Sequence, residues 1–576
     1  VSDYWQIYPK AQPLILQPIL DLVAICAKKG ITNAILSPGS RCAPLTLAFA
    51  RHPDIHARTI SDERSAAFVA LGMAQQLGQP VVLVCTSGSA ALNYYPAIAE
   101  AYFQQVPLLI LTADRPPEWI DQWDGQTIYQ EEVYGKHVKK SLNFPDAFTS
   151  EEERWHAGRI LNEAINLSKQ FPAGPVHINI PLREPFYPTQ DEKFEFDDYP
   201  REFTALSSFS QLTEESYKHI KNRLLGIHRL LIVPGQQKPN AQLQKLLDQL
   251  AQEKQTVVVS DVISNLQSDS TINLHDHLLG DEHIQENLHP DLVITFGQSL
   301  ISKSLKQFLR KSKASHWHIQ PDGHSRDTFQ RLTRILPSSP LEFLTWLSQN
   351  LPSQDQEYYQ RWHQLEKQVQ RVLPSALSEL EFGEYSALHH FLSKTPSTSK
   401  VHLANSMAVR YANLLGKRGQ EIICNRGTSG IDGSNSTAVG CTFTTKDPVT
   451  LITGDMAFFY DRNAFWHNYA MPNLRIVVLN NHAGGIFRLI DGPARQPELE
   501  EFFETRQRLN ARHLAEEFGF GYSLVKTKEA LDQELLQFYE PSLQPKILEI
   551  ETSSPKNAEI LQQVKEKIRL AIQEKK

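Results

Sequence analysis

Two apolar runs near the C-terminal end limit the fold of this chain more than anything else in it. Val449 to Ile452 leads into Thr453-Gly454-Asp455, and Leu474 to Leu479 leads into Asn480-Asn481. Short uninterrupted apolar runs read as strands buried on both faces of a parallel sheet. Asp461 to Tyr469, between them, reads as the crossover helix. Such a strand–helix–strand unit belongs to an open α/β sheet, and these sheets bind ligands beyond the C-terminal ends of their strands. The unit brings one carboxylate and one carboxamide to the same edge, with Asn481 following Asp455 by 26 residues. Hard oxygen ligands with room for water suit Mg²⁺, with Mn²⁺ as the alternative. Ala483-Gly484-Gly485 lets the backbone turn sharply and offer a carbonyl as a third ligand. An ordinary crossover with polar strand ends would carry the same residues, so the remainder of the chain has to decide.

Residues 1–190 repeat the pattern and read as a first α/β domain. Ala34 to Leu36 ends in Ser37-Pro38-Gly39-Ser40-Arg41, and Pro80 to Cys85 ends in Thr86-Ser87-Gly88-Ser89. Pro107 to Leu111 ends in Thr112-Ala113-Asp114-Arg115-Pro116-Pro117, and Val176 to Ile180 is the last strand. Helices are expected over Pro44–Ala50, Ser65–Gln76, Ala90–Gln104 and Trp155–Gln170. A loop whose amides turn toward a helix start is a ready anion site, and Ser40 and Arg41 add a hydroxyl and a guanidinium. A βα turn with a solvated Arg would look the same. Glu63 stands just before an apolar helix, where a carboxylate also serves simply as a favourable helix-start charge. Gln126 lies in the loop Asp124 to Thr127.

Phe186 to about Phe209 is acidic, aromatic and aperiodic, and reads as a surface linker. The central region, 191–345, has expected strands at Leu230–Val233, Thr256–Ser260, Leu292–Phe296 and His316–Ile319. Only Gly235 follows the first of these, so no Gly-x-Gly-x-x-Gly fingerprint marks a dinucleotide site. Lys303 follows a strand end, where a solvated lysine is the common outcome. Residues 346–395 read as a polar helical connector anchored by Trp346, Tyr358, Tyr359 and Trp362. The region 396–576 opens with a strand at Val401–Ala404, and Asn405-Ser406 is expected to cap a helix carrying Arg410. Ile422–Cys424 leads into Asn425-Arg426-Gly427-Thr428-Ser429-Gly430-Ile431-Asp432-Gly433, whose glycines permit close approach of backbone to a ligand. Pro545–Ile550 is the final strand and Asn557–Glu574 a charged helix; no internal sequence repeat is found. The expected fold class is α/β: three doubly wound domains with mainly parallel sheets.

Bulk properties narrow the partners. With 576 residues, 41% hydrophobic and 21% charged, the chain is long and ordinary enough for several globular domains. A net charge of −7 without a long basic block argues against nucleic acid or an anionic membrane surface. Leu14 to Ala27, broken by Gln17, Pro18 and Asp21, reads as an amphipathic helix rather than a signal or membrane span. Cys26, Cys42, Cys85, Cys424 and Cys441 are scattered and form no Cys-x-x-Cys pair, which suits a reducing cytoplasm.

Gly454-Asp455 followed by Asn480-Asn481 resembles the diphosphate-binding motif of thiamine diphosphate enzymes, Gly-Asp-Gly then Asn-Asn, with Met456 in place of the third residue. Together with Ser37 to Arg41, Asp62-Glu63-Arg64, Thr112 to Pro117 and Asn425 to Gly433, it makes nearly the whole chain resemble one family. This is the MenD family, the thiamine diphosphate-dependent 2-succinyl-5-enolpyruvyl-6-hydroxy-3-cyclohexene-1-carboxylate synthases of menaquinone and phylloquinone synthesis. The resemblance implies a pyrimidine-binding first domain, a central domain without a nucleotide role, and a diphosphate- and Mg²⁺-binding third domain in the thiamine diphosphate-binding fold. It implies a homodimer or homotetramer in which the cofactor lies between the first domain of one subunit and the third of its partner.

By position, the resemblance makes Glu63 the partner of N1′ of the cofactor and the catalytic carboxylate. Asp455 and Asn481 become side-chain ligands of the metal, and Ala483 a carbonyl ligand where Gly is more usual. Ile431 wedges the cofactor into its bent form, and Gly454 and Ile486 line it. Ser40, Arg41, Arg115, Gln126, Lys303, Ser406, Arg410, Arg426 and Phe487 match substrate-contacting positions; beside Lys303 this chain has Ser304 where some relatives carry Arg. The implied reaction is decarboxylation of 2-oxoglutarate and 1,4-addition of the succinyl carbanion to isochorismate. The residue chemistry agrees, since both substrates are dicarboxylates and guanidinium forks bind carboxylates bidentately. A 2-oxo-acid decarboxylase or acetolactate-type synthase, which takes smaller and less charged acids, is the alternative within enzymes. A cofactor-less homologue is the alternative outside them, and Glu63, Asp455 and Asn481 together speak against it.

Overall fold

A computed structural model of the chain describes residues 17–148, 150–184, 186–188, 193–206 and 211–573. Seventeen strands among them form three sheets, and every strand pairing is parallel. The first sheet takes β1 (Asn33–Leu36), β2 (His56–Thr59), β3 (Val81–Cys85), β4 (Leu108–Asp114), β5 (Ser141–Asn143) and β6 (Val176–Pro181), in the order 2-1-3-4-6-5. The second takes β7 (Leu230–Pro234), β8 (Val257–Val258), β9 (Leu292–Phe296), β10 (Ser315–Ile319) and β11 (Leu332–Leu336), in the order 11-10-9-7-8. The third takes β12 (Lys400–Leu403), β13 (Glu421–Ile423), β14 (Val449–Gly454), β15 (Leu474–Asn480), β16 (Gly521–Val525) and β17 (Lys546–Glu551), in the order 13-12-14-15-17-16. Counted within its own domain, the third sheet has the strand order of the first. The α/β architecture of parallel sheets and alternating helices is therefore as the sequence indicates.

The fold divides into two compact units. One holds the first sheet together with Asn425–Lys446 and Asp461–Met471; the other holds the second and third sheets with the helices Pro340–Asn350, Gln356–Ser378 and Glu384–Lys394. In the first unit, helix Glu63–Leu77 is capped by Asp62, whose carboxylate accepts from Ser65 N, and ends at Gly78 with φ of 64°. It packs on helix Ser434–Thr442 at backbone contact: a Cβ on Gly72 would lie 2.0 Å from the Thr437 carbonyl oxygen, and one on Gly440 2.0 Å from that of Val69. Only glycine allows the two helices this close.

In the second unit, the strand order of the second sheet reverses between β7 and β9, the place where doubly wound sheets hold nucleotides. Here the two turns are joined backbone to backbone. Gly235 N donates to Phe296 O (2.7 Å), Gln236 N to Ser299 O (3.0 Å) and Gln298 N to Gln236 O (3.0 Å). Tyr358 and Trp362 of the connector are buried in the large core of this unit, while Trp346 packs against the neighbouring core.

Several local expectations are corrected. The helix after β14 is not Asp461–Tyr469 but Asp455–Tyr460, followed by a 3₁₀ turn at Arg462–Phe465. Asp455 starts that helix, where the dipole favours its charge. Asp461 leaves it, because its fully buried carboxylate accepts from Ser436 N (2.7 Å) and Ser436 Oγ (2.8 Å). The helix expected over Ala90–Gln104 is two, Ser89–Asn93 and Tyr95–Gln104, because Pro96 cannot donate inside a continuous helix. Ser406 precedes helix Met407–Leu414 but makes no capping bond and holds φ at 74°. Of the expected linker, residues 185, 189–192 and 207–209 lie outside the described residues, as do Leu14–Leu16 of the first helix and Glu574 of the last. No helix among the described residues is long and apolar enough to cross a membrane.

Candidate active site

At the C-terminal edge of the first sheet, β1 ends in a loop pressed against its neighbour. Ser37 N donates to Val84 O (2.8 Å), and a Cβ on Gly39 would lie 2.3 Å from Cβ of Thr86. Arg41 is buried, donates from Nη1 to Leu182 O (2.7 Å) and stacks 4.5 Å over the Phe186 ring. Ser40 is exposed and lies 3.4 Å from the Tyr187 hydroxyl. Glu63 is half-buried at the first position of its helix, where Asn93 Nδ2 donates to its Oε2 across 3.4 Å.

Arg115, just past β4, donates from Nη2 to Gly125 O (2.8 Å) and pairs with Asp124 at 3.2 Å. It thereby holds the loop carrying Gln126, an exposed residue with φ of 57° whose backbone lies against Gly88. Beneath that loop, Gln130 accepts from Gly88 N (2.8 Å) and donates to Ala113 O (3.1 Å). Burial raises the carboxyl pKa of Asp114, against the lowering effect of the Asn179 amide that donates to it at 2.8 Å.

The loop 425–433 belongs to the same unit. Its anchor is Glu100, which the sequence reading did not single out. This carboxylate is 1% exposed and accepts from Gly427 N (2.7 Å) and Thr428 N (2.6 Å). Arg426 and Ile431, both half-buried, are carried by the loop so fixed. The one signal for Glu100 is a lone charge within the apolar face of helix Tyr95–Gln104.

At the edge of the third sheet, Gly454 pairs with Leu479, so Asp455 and Asn481 leave the sheet at nearly one level. Asp455 is 2% exposed and accepts from Gln507 Nε2 at 2.7 Å. Burial pushes its pKa up to about 6, although Gln507 and the amides of Met456 and Ala483 favour the charged form. Asn481 is 9% exposed; its Nδ2 donates to Glu384 Oε1 at 2.6 Å, while its Oδ1 is buried and has no hydrogen-bond partner. Burial likewise pushes Glu384 up to about 7. The left-handed conformation in this turn falls on His482, φ 59°, and not on Ala483, whose carbonyl accepts from Gly485 N at 3.0 Å. Ile486 and Phe487 follow, half-buried, on the turn Gly485–Leu489. A buried carboxylate beside an orphaned amide oxygen is costly in a closed protein and fits a hard divalent cation. Gln507 and Glu384 are contributors that no sequence motif announces.

Lys303 and Arg410 lie in this same unit. Lys303 is exposed at the start of helix Lys303–Lys311, capped by Ser302 Oγ, which accepts from Leu305 N at 2.9 Å. Arg410 Nη1 donates to Ser406 O at 2.6 Å. A largely buried set joins their elements: Asp261 accepts from His275 (3.0 Å) and from Ser302 N (3.3 Å), and Asn413 donates to the half-buried Asp276 (2.8 Å) while accepting from Val262 N (2.9 Å).

Residues 21–137 match the family described as thiamine pyrophosphate enzyme, N-terminal TPP binding domain. Residues 208–403 match the family described as middle domain of thiamine pyrophosphate. Along 96% of its length the chain is 47% identical to 99% of a protein of Cytophaga hutchinsonii named 2-succinyl-5-enolpyruvyl-6-hydroxy-3-cyclohexene-1-carboxylate synthase. The chain belongs to this synthase family. Proteins of the same name from Christiangramia forsetii (38% identical, covering 94% of this chain and 96% of theirs) and Bacteroides fragilis (38%, 94% and 97%) agree. As a member of the synthase family the chain is a thiamine diphosphate-dependent, carbon–carbon bond-forming transferase.

Proposed function

We propose that the chain catalyses the decarboxylation of 2-oxoglutarate and the 1,4-addition of the resulting succinyl unit to isochorismate. The products are 2-succinyl-5-enolpyruvyl-6-hydroxy-3-cyclohexene-1-carboxylate and CO₂, in menaquinone or phylloquinone biosynthesis. The observation that carries this reading is the 47% identity to a synthase of that name along 96% of the chain. In this reading residues 1–190 bind the pyrimidine and 396–576 the diphosphate with Mg²⁺ (or Mn²⁺). The central domain is 191–345 and the connector 346–395.

Bound thiamine diphosphate supplies a nucleophilic thiazolium carbon and an electron sink. The chain supplies the rest. Glu63 holds and moves the proton at N1′ of the pyrimidine, general acid–base work for a half-buried carboxylate. Asp455, Asn481 Oδ1 and the Ala483 carbonyl would hold the metal, Gly454 and Ile486 would line the cofactor, and Ile431 would pack against it. Arg410 and Ser406 receive one dicarboxylate and Arg41, Arg115 and Arg426 the other, with Ser40, Gln126 and Lys303 as further substrate contacts and Phe487 as a wall. Arg41 and Arg115 each already hold one backbone carbonyl, which orients the rest of the guanidinium. A homodimer is the smallest active unit in this reading. A reducing cytoplasm suits five buried cysteines that form no disulfide among the described residues.

Turnover with 2-oxoglutarate and isochorismate, against pyruvate as control, tests the reading. Product formation only with the first pair is expected; preference for pyruvate would favour the acetolactate-type alternative.

A further inference from the structure

We infer that Glu384 is a positioning residue: it fixes which end of the Asn481 carboxamide faces the metal site. The inference rests on the proposal that Asp455 and Asn481 hold a divalent cation. A carboxamide has two ends of similar shape and opposite use. Its oxygen can ligate a hard cation and its NH₂ cannot. Nothing in the strand end itself chooses between them, because Asn481 lies one residue past β15, in a turn.

Glu384 makes the choice. Its Oε1 accepts from Asn481 Nδ2 at 2.6 Å, which leaves Asn481 Oδ1 buried and unpartnered. The carboxylate cannot swing away. Glu384 is 1% exposed, it is the first residue of helix Glu384–Lys394, and its own N–H donates to Asn557 Oδ1 at 3.0 Å. The Tyr411 hydroxyl also favours the charged form of Glu384. Tyr411 itself is 1% exposed and stacks on Tyr385, ring centroids 5.3 Å apart. Glu384 thus reaches the site from the helical connector, a region without any assigned role, and it orients a ligand without being one. Groups that hydrogen-bond a metal ligand set its orientation, and losing one weakens metal binding by about 10–100-fold.

Metal affinity tests the inference directly, read by titrating Mg²⁺ or Mn²⁺ into the purified protein at saturating thiamine diphosphate and following heat or tryptophan fluorescence. Glu384→Gln keeps the volume but can present an NH₂ to Asn481, so the amide loses its fixed direction. A metal Kd raised by about 10–100-fold is expected, with the melting temperature of the cofactor-free protein within a few degrees of wild type. The decisive variant reverses the pair. Asn481→Asp alone sets two carboxylates against each other and should bind metal poorly. Asn481→Asp with Glu384→Gln restores one donor and one acceptor and should recover affinity to within about tenfold of wild type, the lower bound of that effect. Unchanged metal affinity in Glu384→Gln, or a double variant no better than Asn481→Asp, would overturn the inference. So would a loss confined to thermal stability. Asp455→Ala separates the two readings: if it leaves the metal dependence intact, the proposed metal site fails and not merely the role of Glu384.

Discussion

The first and third sheets share one strand order and differ in what their strand ends leave unsatisfied. In both, the order reverses between the first and third strands of the domain, β1 and β3 in one and β12 and β14 in the other. At the first sheet's edge the larger polar side chains are spent internally, Arg41 on Leu182 O, Arg115 on Gly125 O, Gln130 on Gly88 and Ala113, while the small hydroxyls of Thr86 and Ser87 past β3 are buried without a partner. Glu63 remains half-buried with one long contact. At the third sheet's edge a buried carboxylate is held up to about 6 and a buried amide oxygen has no partner. One topology thus serves two chemistries. In the proposed reading the third edge takes a cation, and the first presents a carboxylate on a rigid frame. The lesson is that topology locates a site, whereas the residual hydrogen-bonding demand at the strand ends says what it takes.

The largest effect that can break this comparison is on the first edge. Glu63→Gln should lower kcat by about 10²–10⁴-fold, the range for a positioned acid–base group, while the melting temperature stays near that of wild type. A variant that keeps most of its rate at saturating cofactor would remove Glu63 from the chemistry. Next come the arginines. Taking one charged partner from a desolvated carboxylate costs about 2–5 kcal/mol, or about 30-fold to several thousand-fold in kcat/KM. Arg410→Ala and Arg41→Ala should therefore each hurt one substrate more than the other. Equal, small and salt-sensitive losses would mean that both residues only steer anions.

A smaller effect separates two glycines of the first unit. Gly72→Ala drives a Cβ to within 2.0 Å of the Thr437 carbonyl oxygen and should destabilise by about 1–3 kcal/mol. Gly158→Ala, in helix Glu151–Lys169 with nothing within 4 Å, should stabilise by about 0.5–1 kcal/mol. Chemical denaturation of both variants decides, and a neutral Gly72→Ala would mean that the helix contact is looser than described.

The smallest effect is on pH dependence. Burial holds His177 of the first sheet and His402 of the third down at about 3, and His277, His316, His363 and His467 at about 4. Below pH 6.5 the unfolded chain protonates these imidazoles and the folded chain does not, so the unfolded state binds more protons and stability falls. Asp455, Glu384 and Asp461, raised to about 6, 7 and 7, act in the opposite sense between pH 4 and 7, three groups against six. The cofactor-free protein should therefore melt at a lower temperature at pH 5 than at pH 6.5. A rise in melting temperature on that acidification would contradict it.

Central strands were legible in the sequence because they are buried on both faces and read as unbroken apolar runs, as in β9 and β15. The strands it did not show are all edges: β2, β5, β11, β13 and β16. Each is partly solvated, with exposed or intermediate positions breaking the run. The shared strand order of the first and third sheets left no sequence repeat, since a parallel sheet asks only for apolar character at each position. At the candidate site, Asp455 and Asn481 were legible because glycine and asparagine at strand ends stand out. Glu384, Gln507 and Glu100 were not, because each arrives from a distant element by tertiary contact. Nor could the sequence show that Ser406 would adopt φ of 74° in place of capping its helix.

The most direct test of the division between the two edges is calorimetric titration of thiamine diphosphate, at saturating Mg²⁺, into wild type, Glu63→Gln and Asp455→Ala. If the third edge holds the metal-bound end of the cofactor and the first does the proton chemistry, Glu63→Gln should bind with nearly wild-type affinity and Asp455→Ala should show no magnesium-dependent binding. Equal affinity in all three proteins, or loss of binding in Glu63→Gln alone, would contradict it.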